Sequence, residues 1–293
     1  MGPLELVKLT PLMQRTSGRP EIRVGLIDGP VAMDHRDLAG QNVQEVTGKS
    51  AAACSRASSV ACMHGTFVAG MLSAKRGSIA PAICPGCTLL VRPIFPESAS
   101  ANGDMPSAQP EELASAIVET VSAGARVINL SAALAQPSAK GERELSEALD
   151  YAARQNVIVV AAAGNQAAVG SSAITRHPWV ISVAGCDLQG RPTAESNIGN
   201  SIGRNGLMAP ARDITSLGTD GKPHTSGGTS AAAPFVTGTI ALLLSEFPSA
   251  SAFAVKMALR GQNPASRRAV VPPLLDAWAA YQAMSASSRR NAS

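Results

Sequence analysis

The sequence predicts an α/β fold, a three-layer sandwich with a mainly parallel central sheet and helices on both faces. Three observations carry this. Unbroken apolar runs, such as 157–162, alternate along the chain with stretches whose apolar residues recur every three or four positions. The first kind suits strands buried on both faces, and the second suits helices that cover them. Ala, Val, Leu and Ile carry the 45% hydrophobic content while aromatics are only 3%, which favours closely packed helices and strands over stacking surfaces. The 293 residues show no internal repeat and no linker, so they read as one domain over 1–293. Residues 1–22 read as an N-terminal extension, and 285–293 as a small polar tail that frays.

Taken in order, 23–29 is a short apolar strand ending in Asp28-Gly29, the kind of strand end where open α/β sheets place functional groups. A turn follows over 31–38, and 40–63 is Ser/Ala-rich and aperiodic, as surface loops are. Helix-like spacing begins at His64. A strand is expected over 89–95 and a polar loop over 96–110. Leu113, Ile117, Val118 and Val121 mark one face of a helix over 111–123. Strand 126–130, helix 142–155, strand 157–162 running into Gly164-Asn165, and strand 179–184 continue the alternation. Beyond Ser230 the pattern gives helices to about 247, over 252–260 and over 274–284.

Composition excludes several classes. A scattered net charge of +4 and few aromatics argue against a nucleic-acid partner. There is no apolar run of about 18 residues, so no membrane span is expected. Lys8, Gln14, Arg15 and Arg19 interrupt the start, which therefore lacks the apolar block of a signal peptide. The expectation is a cytoplasmic protein, or a piece of a longer one. Of the five cysteines, Cys54 and Cys62 share a loop in which they could pair. Cys84-Pro85-Gly86-Cys87 has the spacing of a redox or metal motif, but no second such pair or His pair lies near to complete a zinc site. A local disulfide and two free thiols both remain open there, and Cys186 stands alone.

The chemistry gathers at Gly228-Thr229-Ser230-Ala231-Ala232-Ala233-Pro234. A glycine turn presents one serine at the start of an apolar helix, where the backbone N–H groups and partial positive charge suit a reaction that builds an oxyanion. The same residues also make an ordinary N-cap. Upstream, Asp28 closes a strand and His64 opens a helix, and Asp, His, Ser is one of the chain orders of a serine triad.

Leu26-Ile27-Asp28-Gly29, His64-Gly65-Thr66, Ala163-Gly164-Asn165 and Gly228-Thr229-Ser230 together resemble the four signature blocks of subtilisin-like serine proteases. The resemblance runs from about 24 to 282, with His35-Arg36-Asp37-Leu38 and Met208-Ala209-Pro210 as further matches. It implies a serine endopeptidase acting on peptides through an acyl-enzyme. Ser230 would be the nucleophile, His64 the base and then the acid, and Asp28 the orienting carboxylate. Asn165 would supply the side-chain donor of the oxyanion hole, and Ser131, Ala132 and Ala133 would line the substrate. No cofactor or metal is implied, and the oligomeric state is left open. His35, His177 and His224 read as bland, with His224 the only rival base.

Four features depart from the family. The short run before Asp28 leaves no room for a folding prosegment. Residues 73–79, where many members carry a calcium loop, are short and basic here, so no calcium is expected there. The usual Ser-Leu-Gly-Gly substrate segment reads Ser131-Ala132-Ala133-Leu134, and Phe67 replaces a common second histidine. Ile27 to Val31 and Arg92 to Phe95 resemble the proteases of cyanobactin-type peptide maturation. The resemblance leaves three outcomes for a bound peptide: hydrolysis, which is the expected one, transpeptidation to a macrocycle, or retention by a module with little turnover. A thiol oxidoreductase built on Cys84 and Cys87 is a further alternative.

Overall fold

A computed structural model describes residues 1–48, 53–97, 109–131, 142–261 and 269–292. Seven parallel strands form its centre: β1 (Arg23–Asp28), β2 (Val43–Glu45), β3 (Thr88–Pro93), β4 (Val127–Leu130), β5 (Ile158–Ala162), β6 (Ile181–Cys186) and β7 (Leu207–Pro210). Their spatial order is β2-β3-β1-β4-β5-β6-β7, so β1 lies inside the sheet. A two-stranded antiparallel hairpin, β8 (Ile214–Leu217) with β9 (Pro223–Ser226), stands apart from the sheet.

Side chains alternate across each strand, and this sorts the core into two layers. Val24, Leu26, Leu89, Val91, Val127, Ile158 and Val160 face α3 (Val60–Ser73) and α8 (Thr229–Glu246). Ile27, Leu90, Ile128, Leu130 and Val159 face α4 (Pro110–Ser122) and α5 (Glu142–Arg154). The three-layer sandwich is therefore as expected. α8 is buried on all sides from Ala231 to Ser245, as a helix apolar all round must be. Truncating one of its fully buried residues, such as Leu242 or Leu243, costs about 2–5 kcal/mol. Such a helix is a rigid mount for whatever its N-terminus presents.

Several boundaries differ from the sequence reading. α3 starts at Val60, because Ser59 caps it by accepting a hydrogen bond from Cys62 N–H, so His64 lies in its second turn rather than opening it. The N-terminal extension is folded: α1 (Pro3–Leu6) and α2 (Thr10–Arg15) lead into the core through Val7, Leu9 and Leu12, all fully buried. The extension meets the last helix, α10 (Ala277–Ala292), where Ala277 N–H bonds Val7 O and Lys8 pairs with Asp276 at 2.6 Å. α10 also corrects the expected frayed tail, since helix continues through those residues to Ala292. Two short helices, α6 (Ala173–Arg176) and α7 (Asn200–Asn205), complete the fold with α9 (Ala252–Arg260). No helix among the described residues is long and apolar enough to cross a membrane.

Candidate active site

The site forms at the C-terminal ends of β1, β4 and β5, beside the N-terminal ends of α3 and α8. Alternation along β1 turns Asp28, like Leu26, toward the α3 side. Its carboxylate is fully buried; Oδ1 accepts from Gly29 N–H at 2.6 Å and lies 2.7 Å from His64 Nδ1. Oδ2 is buried without a partner among the described residues. Gly65 explains how the histidine comes so near. A Cβ there would lie 2.4 Å from both Gly29 O and Pro30 O, so the helix backbone rests directly on the strand-end turn. Thr66 Oγ1 accepts from Ala32 N–H at 2.9 Å and fixes the same contact.

Burial pulls the His64 imidazole down, but the charge of Asp28 and its hydrogen bond more than offset this and hold it above the usual histidine range. With Nδ1 donating to the carboxylate, the neutral ring presents an unprotonated Nε2, the form a general base needs. The side chain keeps 15% exposure, so the ring is reachable.

The second half is built around Gly228, whose φ of +85° lies in the left-handed region and whose missing Cβ leaves room for Asn165. Asn165 Oδ1 accepts from Thr229 N–H at 2.9 Å and from Thr229 Oγ1 at 3.1 Å. A backbone N–H can only donate, which settles the amide's orientation and leaves Nδ2 as its free donor. Ser230 is the second residue of α8 and partly exposed, with its N–H among those that a helix cannot satisfy internally. Among the described residues its hydroxyl makes no hydrogen bond. Hydrogen bonds from nucleophile to base are often long before a substrate binds. α3 and α8 pack on each other, which puts the two halves on adjacent elements of one face.

Two supporting residues escaped the sequence reading. Asn197 holds the loop after β5 together: its amide donates to Ala163 O and Gln166 Oε1, and its oxygen accepts from Gln166 N–H and Ala168 N–H. Thr229 closes the circuit by accepting from Gly164 N–H at 3.1 Å. At the end of β4, Ser131 is buried, its hydroxyl accepting from Asn129 Nδ2 at 2.7 Å, while Asn129 accepts from Thr237 on α8. Ala132, Ala133 and Leu134 lie outside the described residues.

The remaining histidines stand elsewhere. His35 accepts from Asp37 N–H, His177 meets Asp150, and His224 on β9 lies edge-on to Phe67 at 5.8 Å. In the basic segment 73–79, Arg76 donates to Met13 O, Thr16 O, Ala82 O and Ile83 O, clamping the N-terminal extension to the turn after α3. Cys54 and Cys62 form a disulfide; Cys84, Cys87 and Cys186 are free and buried. A hydrogen bond to Cys87, with burial, raises the Cys84 thiol well above its ordinary range, and burial pushes Cys186 up to about 12. The hydrogen bond from Cys84 lowers the Cys87 thiol, but both thiols of this turn are buried, whereas a reactive cysteine must be accessible, and this counts against an oxidoreductase.

The profile of the subtilase family matches residues 19–270. Subtilisin DY from Bacillus licheniformis is 29% identical over 258 residues, covering 86% of this chain and 87% of that protein. Fervidolysin from Fervidobacterium pennivorans is also 29% identical, but the chain spans only 39% of its length. Among solved structures, the protease domain of PatA superposes with a TM-score of 0.82 at 29% identity, covering 92% of this chain and 97% of that one. The prenylagaramide maturation protease PagA gives 0.79 at 28%, covering 94% and 98%. The chain belongs to the subtilase family and is a subtilisin-like serine endopeptidase.

Proposed function

We propose that the protein is a limited, maturation-type endopeptidase that cleaves a peptide substrate through an acyl-enzyme on Ser230. His64 Nε2 takes the proton from Ser230 Oγ as the serine attacks the peptide carbonyl. It then returns that proton to the leaving amine. Asp28 keeps the ring in the required tautomer and stabilises its charged form. Asn165 Nδ2 and the Ser230 N–H bind the oxyanion of the tetrahedral intermediate. Water resolves the acyl-enzyme, and Ser131 with Ala132 and Ala133 lines the bound peptide.

The observation that carries this assignment is the pairing of a fully buried Asp28 with His64 at 2.7 Å, in the same layer as an Asn165 amide locked beside Ser230. The maturation role draws on the likeness to PagA, which is called a maturation protease. With that role goes a cytoplasmic protein, or a domain of a longer one. Residues 1–293 act as one domain, because α1 and α2 enter the same core that mounts α8.

A fluorophosphonate tests the nucleophile: stoichiometric labelling that vanishes in Ser230→Ala supports it. Folded wild type that takes no label would leave only a peptide-holding module. Mass spectrometry of a peptide library incubated with both proteins then reads the outcome. Cleaved peptides from wild type alone support hydrolysis, and cyclic products in their place would transfer the assignment to a transpeptidase.

A further inference from the structure

Three segments that frame the Asp28–His64 pair meet at a second cluster. The first is the loop at 53–59, held by a parallel bridge between Ala53 and Val31 and by Cys54 N–H bonding Val31 O. The second is the first turn of α3, which supplies Cys62 two residues before His64. The third runs on from β3 to Glu97, four residues past Pro93, the register partner of Asp28. Glu97 accepts from both the N–H and the hydroxyl of Ser55, and its Oε1 lies 2.9 Å from Cys62 Sγ.

Cys54 and Cys62 form a disulfide, so this 2.9 Å contact is not a hydrogen bond. A disulfide sulfur has no proton to give a carboxylate, and the two atoms lie inside van der Waals contact. The contact brings the carboxylate within reach of a cation shared with the sulfur once the disulfide opens. The ligand atoms of Cys54, Cys62 and Glu97 all fall within 4.8 Å of one another. Zinc holds thiolates at about 2.3 Å and carboxylates at about 2.0–2.2 Å, which sets ligand separations of about 3.5–3.8 Å. Side-chain rotation closes that difference once the S–S bond is open.

We propose that, when the Cys54–Cys62 disulfide is reduced, Cys54, Cys62 and Glu97 bind a thiophilic divalent cation, zinc first of all, with water in the fourth position. A dithiol reductant supplies two electrons and two protons, the S–S bond breaks, and the reductant becomes a disulfide. The cation then displaces the protons of both new thiols. Thiolate ligands select zinc over magnesium or calcium. The N–H and hydroxyl of Ser55 hold the Glu97 carboxylate against the Cys62 sulfur, in position to ligate. Disulfides are scarce in a reducing cytosol. The disulfide links the Cys54 and Cys62 segments when oxidised, and the metal would link them and the Glu97 segment when reduced.

Cadmium reports on such a site through its thiolate charge-transfer band. The full chain, reduced with a phosphine and titrated with cadmium, should develop the band to one equivalent, and the unreduced chain should not. Cys54→Ser should abolish it, and Glu97→Gln should weaken binding at least about tenfold. Zinc should displace cadmium and shield Cys54 and Cys62, but not other cysteines, from iodoacetamide in a peptide map. No band in the reduced chain overturns the proposal. So does a band that survives in Cys54→Ser, since it would belong to Cys84 and Cys87. Glu97 is only half-buried and outside the core, so Glu97→Gln should fold even if Cys54→Ser does not; unchanged affinity in it would refute the three-ligand site. None of these readouts depends on proteolysis.

Discussion

Adjacent positions of β1 and β3 carry two buried charge clusters, and the clusters face opposite sides of the sheet. Ile27 pairs in register with Arg92, and Asp28 with Pro93, so one step of alternation separates the two charges. Arg92 points toward α4, fully buried, where it bonds Glu119, Glu112 at 2.8 Å, and Pro93 O. Asp28 points toward α3, where His64 holds one oxygen while Oδ2 has no partner among the described residues. The first cluster is closed: an ion buried at high desolvation cost is met by two carboxylates and a carbonyl, one to each guanidinium nitrogen. The second pairs a buried carboxylate with a ring that stays partly exposed. A buried acceptor kept unsatisfied is costly and calls for an explanation outside stability, and the proposed chemistry is that explanation.

Removing the nucleophile is the sharpest test of that contrast. Ser230→Ala should lower kcat on the order of 10⁶-fold, the scale on which triad loss acts in subtilisin. As Ser230 is partly exposed and its hydroxyl unbonded, the thermal midpoint should hold within about 0.5 kcal/mol of stability. Loss of stability with kcat retained would make the Asp28–His64 cluster structural, like that of Arg92. Arg92→Met should show the reverse signature. It strands two carboxylates beside an apolar side chain and should cost about 3–5 kcal/mol in urea unfolding. Its kcat per folded molecule should match wild type. A drop in kcat larger than the loss of folded protein would tie the Arg92 cluster to the site after all.

Asn165→Ala lies between these extremes. Losing one oxyanion donor should reduce kcat by about 10²–10³ and leave KM nearly unchanged. Because Asn165 is exposed and Thr229 N–H can turn to water, stability should fall far less than in Arg92→Met. Equal losses in kcat and stability would mean that the amide only braces the α8 turn.

How legible each cluster was follows from the range of its interactions. Asp28, His64, Asn165 and Ser230 each sit in a short block at a strand end or helix start, so local pattern and chain order exposed them. β1, β3, β4, β5 and β6 were readable as doubly buried apolar runs. Arg92 stood in plain view within such a run, but its partners are 20 and 27 residues away, and nothing local announces them. Asn197 and the bracing role of Thr229, itself named in the serine block, were hidden for the same reason, since their hydrogen bonds reach across to the loop after β5. The hairpin β8–β9 was missed because Pro223–Ser226 is polar and half exposed, offering no apolar alternation. α1 and α2 are too short to display a helical period, and only packing against α8 and α10 makes them part of the core.

The smallest expected effect concerns the proton on His64. Its pKa is held above the ordinary value of about 6.5, so between that value and the raised one the folded state binds more protons than the unfolded. Stability from the Asp28–His64 pair is therefore fully present below about pH 6.5 and is lost as pH rises through the folded pKa. Activity runs the other way, because a general base must be unprotonated: kcat/KM should rise through the same window. Two limbs of opposite sign over one pH range are a signature that the closed Arg92 cluster cannot produce. Asp28→Asn should move both limbs to lower pH together, since it removes the charge that raises His64 while burial still pulls it down. A kcat/KM profile and a set of urea midpoints across pH 5–9 would read both limbs. If Asp28→Asn shifted the stability limb and left the rate limb in place, the titrating group in catalysis would not be His64.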